Sequence, residues 1–305
     1  MTGPTGKRAF VMTGATSGLG AVAAARIAAQ PATLSIVGAR STHPDAPAGA
    51  EVLPLDLASL DDVRGFANAV LQRTEASGID VLVLNAGAQF RNADERSADG
   101  FELTFAVNHL AHYLLARVLL PAVADGGRIV VTTSDTHDPK IFRSGPKKLD
   151  VEGWAHPPNG SSSGFRAYAA SKACNLMTAR SLAALDEVEQ RHITVIAYNP
   201  GLTGGTSLAR AQPRAIQVAL RATKPVFWFL SRFRGQFSMH TPEQSGEVLS
   251  QLALGSETPP AARVYASLVK GEITYPDPSE LAQSDEACDQ LWRESAKMVG
   301  LTCRQ

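Results

Sequence analysis

Cysteine is nearly absent from this chain of 305 residues, which holds only Cys174, Cys288 and Cys303. An odd number in so long a chain argues against a disulfide framework and points to reduced thiols, so a cytoplasmic protein is expected. A surplus of charge is missing too. Twenty-nine basic residues balance 29 acidic ones, so the basic excess that nucleic-acid binding needs is not there, and a small molecule is the expected partner. No segment reads as a membrane span of about 20 apolar residues. Lys7 and Arg8 precede an uncharged run from Ala9 to Ala25 with the outline of a signal peptide. Thr13, Gly14, Thr16, Ser17, Gly18 and Gly20 interrupt that run, and export is not expected. Repeats and linkers are absent, and Ser161-Ser162-Ser163 is the sole low-complexity tract.

What the chain has instead is apolar material, 44% of its residues, distributed in two alternating periods. Short β-branched runs predict strands at Ala9 to Met12, Thr33 to Val37, Glu51 to Leu53, Val81 to Leu84, Arg128 to Thr132, Ile193 to Tyr198 and Arg263 to Ala266. Helical periodicity falls between them, at Leu19 to Ala29, Leu60 to Glu75, Gly100 to Val123, Phe165 to Leu185 and Pro242 to Leu254. Repeated βαβ units with right-handed crossovers make an α/β fold, a doubly wound parallel sheet of seven strands in one domain over 1–305. Two stretches break the alternation, a Pro/Gly/Ser-rich insertion at 135–164 and a segment at 202–240. Excursions of that length in a compact domain are usually functional loops or lids.

The first strand runs into Thr13-Gly14-Ala15-Thr16-Ser17-Gly18-Leu19-Gly20 and then an Ala-rich helix. Glycines at a strand-to-helix turn let backbone approach a pyrophosphate, while N–H groups at the helix start supply positive potential. Thr16 stands where the G-x-G-x-x-G fingerprint has its second glycine, so the general dinucleotide pattern is not met. The spacing is T-G-x-x-x-G-x-G, and here the chain resembles the short-chain dehydrogenase/reductase family. The resemblance continues in order. Asp56-Leu57 follows the third strand, Asn85-Ala86-Gly87 the fourth, Asn108 lies in a helix, and Ser134 follows the fifth strand. Tyr168 and Lys172 form Y-x-x-x-K, and Asn199-Pro200-Gly201 ends the sixth strand.

Tyr168 and Lys172 are four apart, on one helix face, so an ammonium there would lower the phenol's pKa. The resemblance implies that Tyr168 protonates a carbonyl oxygen and that Lys172 holds the nicotinamide ribose. It gives Ser134 the orientation of the carbonyl and Asn108 a water-linked proton path. Strand alternation points Thr132 and Ser134 the same way, and the register decides between these two hydroxyls.

For the cofactor, the resemblance places Gly14, Thr16, Ser17, Gly18, Leu19 and Gly20 at the phosphates. It places Asp56 and Leu57 at the adenine, and Asn85, Ala86 and Gly87 along the nucleotide. Tyr168, Lys172, Pro200, Gly201 and either Thr203 or Thr206 fall at the nicotinamide end. After the second strand stands Ala39-Arg40, where an NAD enzyme would often have an acidic residue for the ribose 2′-hydroxyl. Arg40 suits a 2′-phosphate, with Ser17 beside it, and NADP(H) is the expected cofactor. No metal is expected. His109 and His112 are three apart, but no carboxylate or Cys completes a ligand set nearby.

Thirty-four positions separate Ser134 from Tyr168, and the blocks Phe105 to His112, Ser171 to Leu176 and Leu291 to Ser295 are similar to the branch holding retinol dehydrogenases and light-dependent protochlorophyllide reductases. That implies reduction of a ketone or aldehyde on a medium-to-large apolar substrate. The rival functions are reduction of an activated C=C bond and a non-catalytic NADP-binding regulator. The Ala-rich, Arg-over-Lys composition (21 to 8) suggests a bacterial source, with secondary metabolism as a setting. Val226 to Leu230, flanked by basic residues, is either a substrate lid or a membrane-surface segment. The branch contains monomers, whereas other members dimerise through the helices carrying Asn108 and Tyr168. Gly160 to Gly164 formally spells a hydrolase G-x-S-x-G around Ser162, but no strand precedes it.

Overall fold

A computed structural model describes residues 7–40, 46–75, 77–204 and 235–302. Thr206 and most of 202–240, including the Val226 to Leu230 cluster, lie outside the described residues.

The chain alternates as its periodicity requires. Strand β1 (Arg8–Thr13) leads to α1 (Gly18–Ala28), β2 (Thr33–Ala39), β3 (Glu51–Pro54), α2 (Leu60–Thr74) and β4 (Ile79–Leu84). Then come α3 (Leu103–Ala122) and β5 (Val123–Thr132). Next are α4 (Gly164–Ala183), β6 (Thr194–Asn199), α5 (Pro242–Leu254), β7 (Tyr265–Val269), β8 (Glu272–Thr274) and α6 (Asp285–Met298). The sheet order is β8-β7-β6-β5-β4-β1-β2-β3, and every neighbouring pair is parallel except β7 with β8.

The sheet thus has eight strands, one more than expected. Lys270 and Gly271 both take positive φ, 52° and 84°, and close the two-residue hairpin that adds β8 to the edge. Asn-Gly or Asp-Gly would have announced such a turn, and Lys-Gly does not. The sequence reading also omits α6, despite a Ser284 cap and the acidic pair Asp285 and Glu286 in its first turn.

Strand alternation divides the core. Phe10, Met12, Val81 and Val83 face α1 and α5 with Ile27, Leu249 and Leu252. Val11, Ile79, Leu82 and Leu84 face α2, α3 and α4 with Phe66, Leu114 and Met177. The span Leu103–Ala122 is the one described helix long and apolar enough to cross a membrane, yet 78% of its apolar window is buried inside the protein. Its middle, Ala106–Leu110, is a π-turn with Asn108 at the centre.

The insertion 135–164 is more ordered than a loop. It holds a 3-10 turn (Asp135–His137) and a helical turn (Val151–Ala155) capped by Asp150, and Val151 and Ala155 are buried in the core. Ser162 sits in a bend with no strand ahead of it, and Ser163 caps α4.

Candidate functional site

The C-terminal ends of β1, β4, β5 and β6 meet along one edge of the sheet, and the turn after β1 is shaped by what its glycines lack. Gly14 and Gly18 have positive φ, 68° and 55°. A Cβ on Gly20 would stand 1.9 Å from Gly14 O, and one on Gly14 2.6 Å from Ala86 Cα. These two glycines therefore let the β1 turn, α1 and the β4 end close on one another. Ser17 precedes α1 without capping it, and the first turn contains no acidic residue. The N-terminal N–H groups thus meet no competing carboxylate, which fits an anionic phosphate. Arg40 is exposed one residue beyond β2, whose Gly38 pairs with Thr13.

A buried network fixes this edge. Thr13 Oγ1 accepts from Asn85 N at 3.0 Å and Ala86 N at 3.1 Å, and lies 2.9 Å from His112 Nε2. His112 Nδ1 is 3.0 Å from Asn108 O, which can only accept, so the ring proton is on Nδ1 and Thr13 donates to Nε2. Burial depresses His112 to about 4, consistent with a neutral ring. Asn85 Nδ2 donates to Gly14 O, and Asn85 Oδ1 accepts from Thr132 Oγ1 at 3.0 Å. The register thereby separates the rival hydroxyls. Thr132 is committed to Asn85, while Ser134, whose Oγ accepts from Thr136 N at 3.3 Å, stands near enough to Tyr168 for its hydroxyl to lower the phenol's pKa.

Asn108 pairs with the loop after β4. Its Oδ1 accepts from Ala88 N at 2.8 Å, and its Nδ2 donates to Ala88 O at 2.9 Å and Ser171 Oγ at 3.0 Å. Ser171 in turn donates to Tyr168 O. The Asn108 side chain is thus fully engaged in joining the β4 loop to α4. Lys172 is buried, its Nζ donating to Thr132 O at 3.1 Å and lying 5.6 Å from the centre of the Tyr168 ring. A Cβ on Gly87 would lie 3.3 Å from Lys172 Nζ, so only glycine leaves open the space beside the ammonium.

Burial pushes Lys172 down to about 8 and Tyr168 up to about 12, with the nearby Ser134 hydroxyl opposing the latter. The expected lowering of Tyr168 by Lys172 is not what burial produces here. Both groups hold their protons at neutral pH.

The other site residues that are described lie at the same edge. Asp56 Oδ1 accepts from Ala58 N, and Leu57 packs on the core. Gly201, at φ 64° and just after Pro200, donates from its N–H to Asn199 Oδ1 at 3.0 Å. Thr203 Oγ1 is 3.1 Å from Pro200 O and 2.8 Å from Ser245 Oγ, engaged within its own loop. Thr13, His112 and Ser171 were missed, as was Asn175, whose Nδ2 donates to Thr132 O at 3.1 Å beside Lys172 Nζ. Thr13 opens the glycine motif, and the three-residue spacing of His109 and His112 concealed that one turns to Ser295 and the other to the β1 end.

A doubly wound sheet with this glycine turn and a buried Tyr–Lys pair defines a nicotinamide-dependent oxidoreductase. The comparisons agree: the family model for short chain dehydrogenase matches residues 8–143. Dehydrogenase/reductase SDR family member 13 of Bos taurus is 30% identical over 96% of this chain and 74% of its own. Chloroplastic protochlorophyllide reductase of Daucus carota is 30% identical over 97% and 79%. Retinol dehydrogenase 14 of Homo sapiens is 32% identical over 82% and 67%. A solved short chain dehydrogenase of Burkholderia cenocepacia J2315, in complex with NADP, shares the fold with a TM-score of 0.57 and 24% identity, covering 82% of this chain and 91% of that one. The chain belongs to the short-chain dehydrogenase/reductase family, on the branch of the retinol dehydrogenases and protochlorophyllide reductases.

Proposed function

We propose that this protein reduces a ketone or aldehyde on a medium-to-large, largely apolar substrate with NADPH. The supporting observation is the buried Lys172 ammonium 5.6 Å from the centre of the Tyr168 ring, one helical turn away, with the Ser134 hydroxyl close to the phenol.

Bound NADPH would supply the hydride. Lys172 and the turn at Gly87 hold the nicotinamide ribose, and Asn85 and Ala86 line the nucleotide. Gly14, Thr16, Ser17, Gly18, Leu19 and Gly20 receive the phosphates on the α1 terminus. Asp56 and Leu57 border the adenine. Pro200 and Gly201 border the nicotinamide, with Thr203 shaping their loop. Ser134 donates to the substrate carbonyl and orients it. Tyr168 passes its phenolic proton to the oxygen as alkoxide character develops, a general-acid contribution of about 10²- to 10⁴-fold. The Lys172 ammonium, protonated at neutral pH, stabilises the phenolate left behind. Asn108 holds the β4 loop against α4.

Arg40 follows Ala39 where a carboxylate would select NAD, and with Ser17 it meets a 2′-phosphate. Helix α6 packs on α4, and its Trp292 meets Tyr113 of α3 at 5.0 Å. It covers surface of both helices through which other family members dimerise, so a monomer is the expected state.

Fluorescence titration with NADPH and NADH, for wild type and Arg40→Ala, tests the cofactor reading. NADPH should bind more tightly, and the variant should lose that preference. No binding of either nucleotide would refute it. A screen of apolar ketones and aldehydes by NADPH consumption tests the reaction, and Tyr168→Phe should abolish consumption while retaining NADPH affinity.

A further inference from the structure

Two sizeable cavities are found among the described residues. One, of about 610 Å³, lies at the opposite end of the sheet between Gly78, Val123 and Arg191, away from the chemistry. The other, of about 640 Å³, begins at the residue after Ser134 and is walled by Asp135, His137, Tyr265, Ser267 and Thr274.

Asp135 is the unusual member. It is 5% exposed, and its Oδ1 accepts from Tyr265 OH at 3.3 Å, while Oδ2 has no partner. Asn199 stands close, but both Nδ2 hydrogens are taken, by Tyr265 OH at 3.3 Å and Ser267 Oγ at 2.9 Å. A buried carboxyl oxygen without a donor costs roughly 1–3 kcal/mol, more if charged. His137 offers it nothing, since Nδ1 is bound to Ser134 O at 2.7 Å and Nε2 accepts from Ser279 N at 3.3 Å. Of the other charged groups lining the cavity, Lys140 is paired with Glu280 at 2.8 Å and Asp277 with Arg263, while Asp138, a carboxylate that can only accept, takes a hydrogen bond from Lys140 N at 2.8 Å. Lys140 is thus the single cation among the described residues lining the cavity, and it is engaged elsewhere.

An aromatic cluster adjoins this wall. The Phe142 ring is 6.2 Å from Phe165 and 5.9 Å from Phe237, and all three are half-buried. Ile141 and Gln236, their chain neighbours, line the cavity, and Phe165 lies three residues before Tyr168 on α4.

We propose that this cavity is a substrate subsite for a hydrogen-bond-donating group, a hydroxyl or an amine, anchored on Asp135 Oδ2, with the ring that bears it against Phe142, Phe165 and Phe237. The subsite rests on the reductase reading only in taking the ketone carbonyl to lie at Ser134 and Tyr168. It makes the substrate amphipathic: apolar in bulk, with one donor remote from the carbonyl.

The probes are 4-phenylcyclohexanone, 4-(4-hydroxyphenyl)cyclohexanone and 4-(4-methoxyphenyl)cyclohexanone, titrated calorimetrically into the full chain with NADP⁺ bound. The phenol should bind about tenfold more tightly than the other two, the magnitude of one hydrogen bond to a buried carboxyl. Asp135→Ala should bring the phenol to the level of the phenyl compound while leaving the latter's Kd unchanged, which also reports that the variant is folded. The methoxy compound tests the same donor in wild type, without any substitution. Equal affinity of phenol and methoxy compound for wild type, or a preference that survives Asp135→Ala, overturns the subsite. Tight phenol binding without NADPH-driven turnover supports the subsite and counts instead against the reduction reading.

Discussion

Thr13 and His112, 99 residues apart in the chain, are joined by a buried hydrogen bond of 2.9 Å. Through it the first strand, the β4 loop and the helix carrying Asn108 are fixed to one another. Thr13 has one hydrogen and two lone pairs, and all three are used, toward His112, Asn85 N and Ala86 N. Thr13→Val preserves shape and removes every one of these bonds, leaving two N–H groups and a ring nitrogen unpaired in the interior. A loss of about 1–3 kcal/mol in urea unfolding is expected, together with weaker nucleotide binding. Unchanged stability would mean that the network is relaxed by other donors.

Two of the buried imidazoles, His109 and His112, also set a pH dependence. His109 is depressed to about 3 and His112 to about 4, mainly by burial, against 6.5 for a free histidine. The unfolded chain therefore takes up protons as pH falls below 6.5, whereas the folded chain does not until about 4. Binding of protons to the unfolded state lowers stability through that window, by an amount on the order of 3 kcal/mol per group. Urea midpoints measured from pH 7 to pH 4 should fall, and His109→Gln should flatten the fall. A flat wild-type profile would contradict the burial of these rings.

Much of this arrangement was legible in the sequence because local pattern and tertiary role coincide there. The β1–turn–α1 unit is such a case: alternating apolar residues, then glycines forced by close approach, then a helix. Pro242–Leu254 is another, since Thr241, Gln244 and Gly255 mark both ends. Long-range relationships were not legible. Nothing near His112 in the sequence says that its partner is Thr13, and Asp135 reads as an ordinary loop acid until Tyr265 arrives from β7. Thr132 and Ser134 could be distinguished only once the β4–β5 register brought Asn85 opposite Thr132.

Helix α6 gives a prediction about stability alone. Trp292 packs edge-on to Tyr113 at 5.0 Å, and the Arg117 guanidinium lies 4.5 Å over its ring. Trp292→Ala deletes both contacts and should cost about 3 kcal/mol in urea unfolding. NADPH affinity should be unaffected, because the residue lies on α6, away from the glycine turn. A variant that loses cofactor binding while remaining folded would place α6 within the functional machinery.

Lys172 gives the prediction closest to the chemistry. Its ammonium is held at about 8 by burial, whereas the Tyr168 phenol is held at about 12. Between these values the phenol keeps its proton while the lysine loses its own. The rate of carbonyl reduction should therefore fall as pH rises through about 8, although the proton donor remains intact, because the phenolate formed in the transition state loses its counter-charge. Lys172→Arg, which stays charged throughout this range, should move the fall to higher pH even if the overall rate is reduced. The measurement is kcat for the best ketone under saturating NADPH from pH 6 to pH 10. A profile that is flat in wild type, or that breaks at the same pH in Lys172→Arg, would remove Lys172 from the proton-transfer step and leave it a role in holding the nucleotide.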